Sequence, residues 1–360
     1  MSTPPSGQFQ PYDPSVANYP RNLWWVAARS GEVDGDTLLA RRLLDTDIVL
    51  YRLRDGSVAA MDDRCMHRGL PLSMGWREGD EIVCRYHGFK YSPQGKIVQI
   101  PTQENCPKRA ALRTYPVVEK APFIWIWMGD PAQADPAKAP EYPWLNDPSW
   151  VWAGGYMHVK SNYMLLKENV LDLTHFPFTH KTTFGALDDY DEAAPNFVQE
   201  NGTVSFVKEF NNQALSPIYD KDLNLGGKPV DRTDKGTSMS PAEHLFTASV
   251  YDRSPPPGER GEYTVHFQHL TTPETSTTHH YWWAMSRDYG VSDAAAAWME
   301  SVAKEAFAED KVVLEAIQQR INDSPAPREL PEVSAVADRA GLLARRQLQA
   351  YLEREAAQEA

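Results

Sequence analysis

Between Asn22 and about Trp127, apolar residues come in short runs cut by turn residues: Asp47–Leu53, Asp55-Gly56, Ser57–Met61, and later Lys96–Ile100 and Phe123–Met128. Runs of that length, bounded by Gly, Asp and Pro, predict a small all-β unit. Residues Asp130–Pro148 carry three Asp-Pro steps, at 130, 135 and 147, which favour extended or turn backbone and predict a connector. Beyond it, Trp150–Tyr163 reads as extended and Met164–Leu173 as helical. Strand-like runs follow at Gly202–Phe210, His244–Tyr251, Tyr263–Thr271 and Thr277–Ser286. A long helical period fills Ala294–Arg320, and a charged helix is expected from about Ser334 to Ala357. The expected class is α+β: an extension over 1–21, an all-β unit with its connector over 22–148, and an antiparallel sheet with helices over 149–360. Gly226-Gly227 reads as a loop pair and Pro255-Pro256-Pro257-Gly258 as a surface turn.

Charge removes one class of function. With 49 acidic against 36 basic residues and a net charge of -13, the chain lacks the excess of Lys and Arg that phosphate binding requires, so no nucleic-acid partner is expected. The first twenty residues are polar and Pro-rich, without the basic start and apolar core of a signal peptide. No uninterrupted apolar stretch reaches spanning length, so a cytoplasmic chain without a membrane partner is expected. Three cysteines, Cys65, Cys84 and Cys106, are too few for a disulfide framework.

Two of them sit in a more informative pattern. Cys65-Met66-His67 is followed, after sixteen intervening residues, by Cys84-Arg85-Tyr86-His87. Thiolate and imidazole suit an iron–sulfur cluster or zinc alike. Structural zinc sites of this composition usually pair Cys with Cys and His with His, whereas each arm here supplies one of each, which suits a two-iron cluster with two Cys on one iron and two His on the other. A zinc ribbon, or four unrelated buried side chains, is the alternative. Arg68-Gly69 and Gly88-Phe89 offer turn positions beside the cluster, and Trp76 and Tyr86 are candidates to shield it. Cys106 has no partner and reads as structural.

A second constellation runs from Glu168 to His180. On a helix, Asn169, Asp172 and His175 share one face, and Pro177 is expected to end that helix and return His180 toward the same point. Two histidines alone make a weak metal site. A third donor is Asp310, which shares a helical face with Phe307, Val313, Leu314 and Ile317, a costly place for a carboxylate without compensation. A salt-bridged Asp310, or Glu309 in its place, is the competing reading.

The stretches Cys-Met-His-Arg-Gly and Cys-Arg-Tyr-His-Gly-Phe-Lys-Tyr-Ser-Pro-Gln-Gly resemble the Rieske domain of ring-hydroxylating and O-demethylating oxygenases. The N-x-x-D-x-x-H-x4-H run, and Glu309-Asp310-Lys311 through Glu315 and Gln318, are similar to the iron-binding segments of the vanillate and dicamba O-demethylase branch. That resemblance implies a Rieske [2Fe-2S] domain joined to a catalytic domain of the helix-grip, START-like kind. It implies a [2Fe-2S] cluster on Cys65, His67, Cys84 and His87, and a mononuclear Fe(II) on His175, His180 and Asp310. It places Asn169 and Asp172 among the catalytic residues, with Asp172 linking His87 of one subunit to His175 of the next in a head-to-tail homotrimer. The implied reaction is the O2-dependent O-demethylation of an aromatic, acidic substrate, with ring dihydroxylation and pure electron transfer as alternatives. No G-x-G-x-x-G follows a strand, so electrons are expected from a separate ferredoxin or flavin reductase fed by NADH or NADPH. Pocket candidates are His266, favoured as a polar anchor by family likeness, then His269, Trp282, Trp283 and Trp298. Of His279 and His280, on opposite faces of a strand, at most one can serve.

Overall fold

The computed structural model describes residues 17–184, 195–223, 225–256, 258–325 and 332–359; Pro257 of the expected surface turn lies outside them. The chain divides into two compact units, residues 20–142 and residues 143–360, the second joined by the segment that ends at Tyr19. Residues 143–148 were expected in the connector of the first unit and belong instead to the second, where the Trp144 ring meets those of Trp150 and His266.

The first unit is built of three small antiparallel sheets. One orders β1 (Trp24–Arg29), β10 (Phe123–Trp127) and β9 (Val117–Lys120). A second is the meander β2 (Leu39–Leu43), β3 (Thr46–Arg52) and β4 (Val58–Asp62). The third runs β5 (Trp76–Glu78), β6 (Glu81–Val83), β7 (Lys90–Tyr91) and β8 (Ile97–Gln99); β8 falls in the run read at Lys96–Ile100, and the other three are too short to show as hydrophobic runs. Its core gathers Val49, Tyr51, Met61, Leu72, Ile82, Tyr91 and Ile97 around Cys65 and Cys84, with Cys106 packed on the edge. In the connector, the Asp130 and Asp135 carboxylates each accept a main-chain N–H two residues on, at 3.0 Å, and so start single turns at the following prolines.

The second unit is one seven-stranded antiparallel sheet in the order β11 (Val151–Val159), β17 (Thr278–Arg287), β16 (Glu262–Thr275), β15 (Glu243–Tyr251), β14 (Val230–Ser240), β13 (Thr203–Gln213) and β12 (Asn196–Glu200). Helices α1 (Tyr163–Leu171), α4 (Asp293–Asn322) and α5 (Arg339–Glu359) pack on it, and two four-residue turns, α2 (Phe176–Thr179) and α3 (Pro217–Asp220), lie between. The buried side of α4 carries Phe307, Asp310 and Leu314 as expected, but Val313 and Ile317 are 40% and 41% exposed. Toward its end, the helix turns Leu314, Gln318 and Ile321 inward instead. There, Gln318 Oε1 accepts the Asn162 N–H at 2.8 Å, and Glu315 accepts that of Lys160 at 2.9 Å. These bonds tie α4 to the start of α1, where the Asn162 side chain caps the helix.

Candidate functional site

The two Cys-His arms fold into matching loops. In each, the cysteine N–H donates to the carbonyl five residues on, Leu70 or Phe89, at 2.8 Å, and the glycine four residues on returns a bond to the cysteine carbonyl at 2.8 or 2.9 Å. That closure requires positive φ at Gly69 and Gly88, at 75° and 71°. The fold buries Cys65 and Cys84 as free thiols and leaves His67 and His87 at the surface, ring centroids 4.5 Å apart. Burial pushes the Cys84 thiol up in pKa, a penalty that binding iron as the thiolate would offset. Tyr91 lies beneath: its hydroxyl accepts the Met66 N–H at 2.9 Å and sits 3.3 Å from Cys65 Sγ. Phe89 stacks on His67 and the Tyr86 ring lies against that of His87, centroids 3.8 Å apart, although Tyr86 and Trp76, both expected to shield the site, are themselves exposed.

At Gly88 a Cβ would meet Pro101 Cγ at 2.8 Å as well as strain the backbone. Gly88→Ala is expected to cost about 1–3 kcal/mol. Less iron per chain and a lower melting temperature would be its signature.

In the second unit, α1 stops earlier than the sequence suggested. Asp172, not Pro177, breaks it: Asp172 adopts φ -129° and ψ 100°, its carboxylate caps the Thr174 N–H at 2.9 Å, and Pro177 sits inside the next short turn. Asp172 therefore leaves the helical face it was expected to share with Asn169. Its main-chain carbonyl takes the Nδ1–H of His175 at 2.7 Å. A carbonyl can only accept, so a neutral His175 carries its proton on Nδ1 and presents the Nε2 lone pair outward. His180 is held the same way, Nδ1 on the Glu309 carboxylate at 2.8 Å, and that carboxylate also accepts the Thr183 hydroxyl at 2.8 Å.

The two Nε2 atoms converge at 3.3 Å and lie 3.4 and 3.2 Å from Asp310 Oδ1, to which Asn169 Nδ2 donates at 3.0 Å. Among the described residues, His175, His180 and Asp310 are the group whose donor atoms all fall within 4.8 Å. Burial alone would push the Asp310 carboxyl up, but the two imidazoles outweigh it and hold the carboxyl well below the usual carboxylate range. For His180, burial pulls down while Asp310 and Glu309 pull harder upward. Two lone pairs and a carboxylate oxygen aimed at one point repel unless a proton or a cation lies between, and two imidazoles with one carboxylate are a donor set suited to ferrous iron with open positions.

The three donors open onto a cavity walled by Phe176, Phe184, Ile218, Phe246, Phe267 and Phe307. His269 lines it; His266 does not. Three positions apart on β16, they point to opposite faces of the sheet. His266 stacks between Trp144 and Trp150, with Nδ1 2.9 Å from the Thr247 hydroxyl, so the expected anchor is corrected. Trp282, Trp283 and Trp298 also lie outside the lining, and so do His279, bonded to the Ser161 carbonyl, and His280, bonded to Tyr156. Tyr219 and Phe184 line it without having been singled out, since nothing in their spacing distinguishes them from ordinary core residues.

Comparison with known proteins agrees with this two-site arrangement. The Rieske [2Fe-2S] domain matches residues 23–116, and the vanillate O-demethylase oxygenase C-terminal domain matches residues 159–354. The iron-sulfur subunit of the toluene-4-sulfonate monooxygenase system of Comamonas testosteroni is 36% identical over 89% of this chain and 93% of its own. The oxygenase component of dicamba O-demethylase from Stenotrophomonas maltophilia is 35% identical over 83% of this chain and 88% of its own. A crystal structure of dicamba monooxygenase bound to 3,6-dichlorosalicylic acid superposes with a TM-score of 0.84, at 32% identity, covering 94% of this chain and 98% of that one. The chain therefore belongs to the family of Rieske oxygenase components whose catalytic part is the vanillate O-demethylase oxygenase C-terminal domain.

Proposed function

We propose that Cys65, His67, Cys84 and His87 hold the [2Fe-2S] cluster, that His175, His180 and Asp310 hold iron, and that the enzyme O-demethylates an acidic aromatic methyl ether. The observation that carries this reading is the convergence of two oriented Nε2 atoms and one buried carboxylate oxygen on the wall of an aromatic cavity. Iron held there, refilled with electrons through the cluster, supplies the oxidising power to insert one atom of dioxygen into a methyl C–H bond. The protein's own part is positional. The phenyl rings sandwich a flat substrate and exclude water, and the Asp172 carbonyl and Glu309 fix the two imidazole tautomers. Asn169 steadies the Asp310 oxygen. Hydroxylation of the methyl group gives a hemiacetal, which falls apart to a phenol and formaldehyde; the second oxygen atom leaves as water with two electrons and two protons.

Those electrons come from a ferredoxin or flavin reductase that draws on NADH or NADPH. In the homotrimer proposed here, Asp172 joins His87 of one subunit to His175 of the next. Support comes from the exposure of His87 and from the position of Asp172, whose main-chain carbonyl holds His175 Nδ1 at 2.7 Å while its carboxylate caps the Thr174 N–H. The test is turnover with a ferredoxin, its reductase and NADH over a panel of methoxybenzoates. Formaldehyde and phenol in equal amounts are expected. A cis-diol without formaldehyde would replace demethylation by ring dihydroxylation, and cluster reduction without oxygen uptake would leave only an electron carrier.

A further inference from the structure

Helix α1 leads into the iron site, yet its nine residues make a helix that is marginal by itself, so its place is set by what grips its ends. At the start, the Asn162 cap and the Gln318 side chain of α4 hold it. At the other end the grip comes from α5. A Cβ on Gly341 would meet Glu168 Cγ at 3.1 Å, so the two helices pass closely there. One turn further along α5, Arg345 reaches the same residue. Its Nε and Nη2 donate to the two Glu168 carboxylate oxygens at 2.6 and 2.9 Å, and its Nη1 donates to Glu332 at 2.9 Å. Arg345 is only 7% exposed, and arginine is almost never buried unless it is paired.

What Arg345 grips matters for the chemistry. Glu168 stands immediately before Asn169, whose side chain donates to Asp310 at 3.0 Å and lies 3.4 Å from His175 Nε2. It also stands one turn before Asp172, whose carbonyl fixes the His175 ring. Arg345, Glu168 and Asp172 line the same cavity, so the clamp and the residue that ends the helix are neighbours in space. A planar fork on a carboxylate fixes direction as well as distance, which a single ammonium does not. We propose that Arg345 is a positioning residue of the iron site. By clamping Glu168 it sets the height and rotation of the last turn of α1, and through Asn169 and Asp172 the point at which His175, His180 and Asp310 converge. A displacement of about 1 Å at a reacting centre can cost about a hundredfold in rate, so a small slip of this turn is enough to matter. The inference rests on the reading of those three donors as the iron site. The competing role for Arg345 is that of a buried ion pair that only fastens α5 to the domain.

The experiment compares holoenzyme of wild type, Arg345→Lys, Arg345→Met and Glu168→Gln. Leu348→Ala, a fully buried side chain of the same helix, controls for looser packing of α5. The readouts are iron affinity against a competing chelator, the EPR line shape of the ferrous iron with nitric oxide as the probe, and the melting temperature. Arg345→Met is expected to weaken iron binding by about tenfold and to broaden the EPR line. Arg345→Lys keeps the charge without the fork and should fall between Arg345→Met and wild type. Glu168→Gln, which loses the charge that the fork grips, should resemble Arg345→Met. Leu348→Ala should lower the melting temperature and leave the line shape and the iron affinity as in wild type. Unchanged affinity and line shape in Arg345→Met, or changes that Leu348→Ala reproduces in full, overturn the proposal and leave Arg345 a fastener of α5. If Arg345→Met does not fold, as judged by cluster absorbance, Arg345→Lys and Glu168→Gln decide by the same criterion. Wild type holding only about two irons per chain would remove the iron site and this inference with it, whereas unchanged variants beside a wild type with about three refute the clamp alone.

Discussion

Asp310→Ala is expected to abolish turnover, by at least about 10³-fold, while leaving the visible absorbance of the iron–sulfur cluster unchanged. Asp310 supplies the only anionic donor of its site from α4, whereas both imidazoles come from the segment after α1. Without it, two neutral nitrogens remain to hold a divalent cation in a largely apolar cavity, and iron content should fall from about three to about two per chain. The neighbouring carboxylate provides the contrast. Glu309→Gln keeps an acceptor for His180 Nδ1 and loses only the charge, so it should weaken iron binding by about tenfold, and Glu309→Ala by up to about a hundredfold. Measuring iron and turnover in the three variants checks the assignment. Full activity in Asp310→Ala with none in Glu309→Ala would exchange the two roles.

What could be read from the sequence follows from how local each signal is. The cluster loops were legible because all four donors lie on two short arms whose turns are closed by their own glycines. Asp310 was legible because a carboxylate interrupts an apolar stripe, although the stripe itself drifts away from Val313 and Ile317. Strand β14 left no apolar trace at all: its inward positions are Val230, Arg232, Asp234, Gly236, Ser238 and Ser240, buried but almost all polar or small. Arg232 pairs with Asp234 at 3.1 Å and lies over the rings of Phe210 and Tyr219, interactions that only the folded sheet supplies. The choice between His266 and His269 was of the same kind. Alternation puts them on opposite faces, but which face meets the cavity depends on where α4 lands. The end of α1 was misplaced because proline is the louder helix breaker, while the Asp172 carboxylate, by capping Thr174, offered the backbone a competing bond five residues earlier.

Lys167 escaped notice for a related reason: a lysine in a helix reads as its solvent face, yet α1 is buried on nearly every side. Its burial has a thermodynamic consequence, a pH-dependent gap between wild type and Lys167→Met. Burial pulls the Lys167 amine down from 10.5 to about 7, with the charge of Glu243 opposing it. Below about pH 7 the amine is protonated in both folded and unfolded chains, and the folded state carries the full desolvation penalty. Between about 7 and 10.5 the unfolded chain keeps the proton and the folded chain does not, so stability from this group rises with pH across that window. A shift of this size corresponds to roughly 5 kcal/mol. In Lys167→Met nothing titrates at that position, and the Ser240 and Glu243 carbonyls lose a donor at every pH alike. The difference between the two urea midpoints should therefore move steadily in favour of wild type from neutral to alkaline pH. A difference that stays flat would mean that the amine keeps its proton in the folded protein.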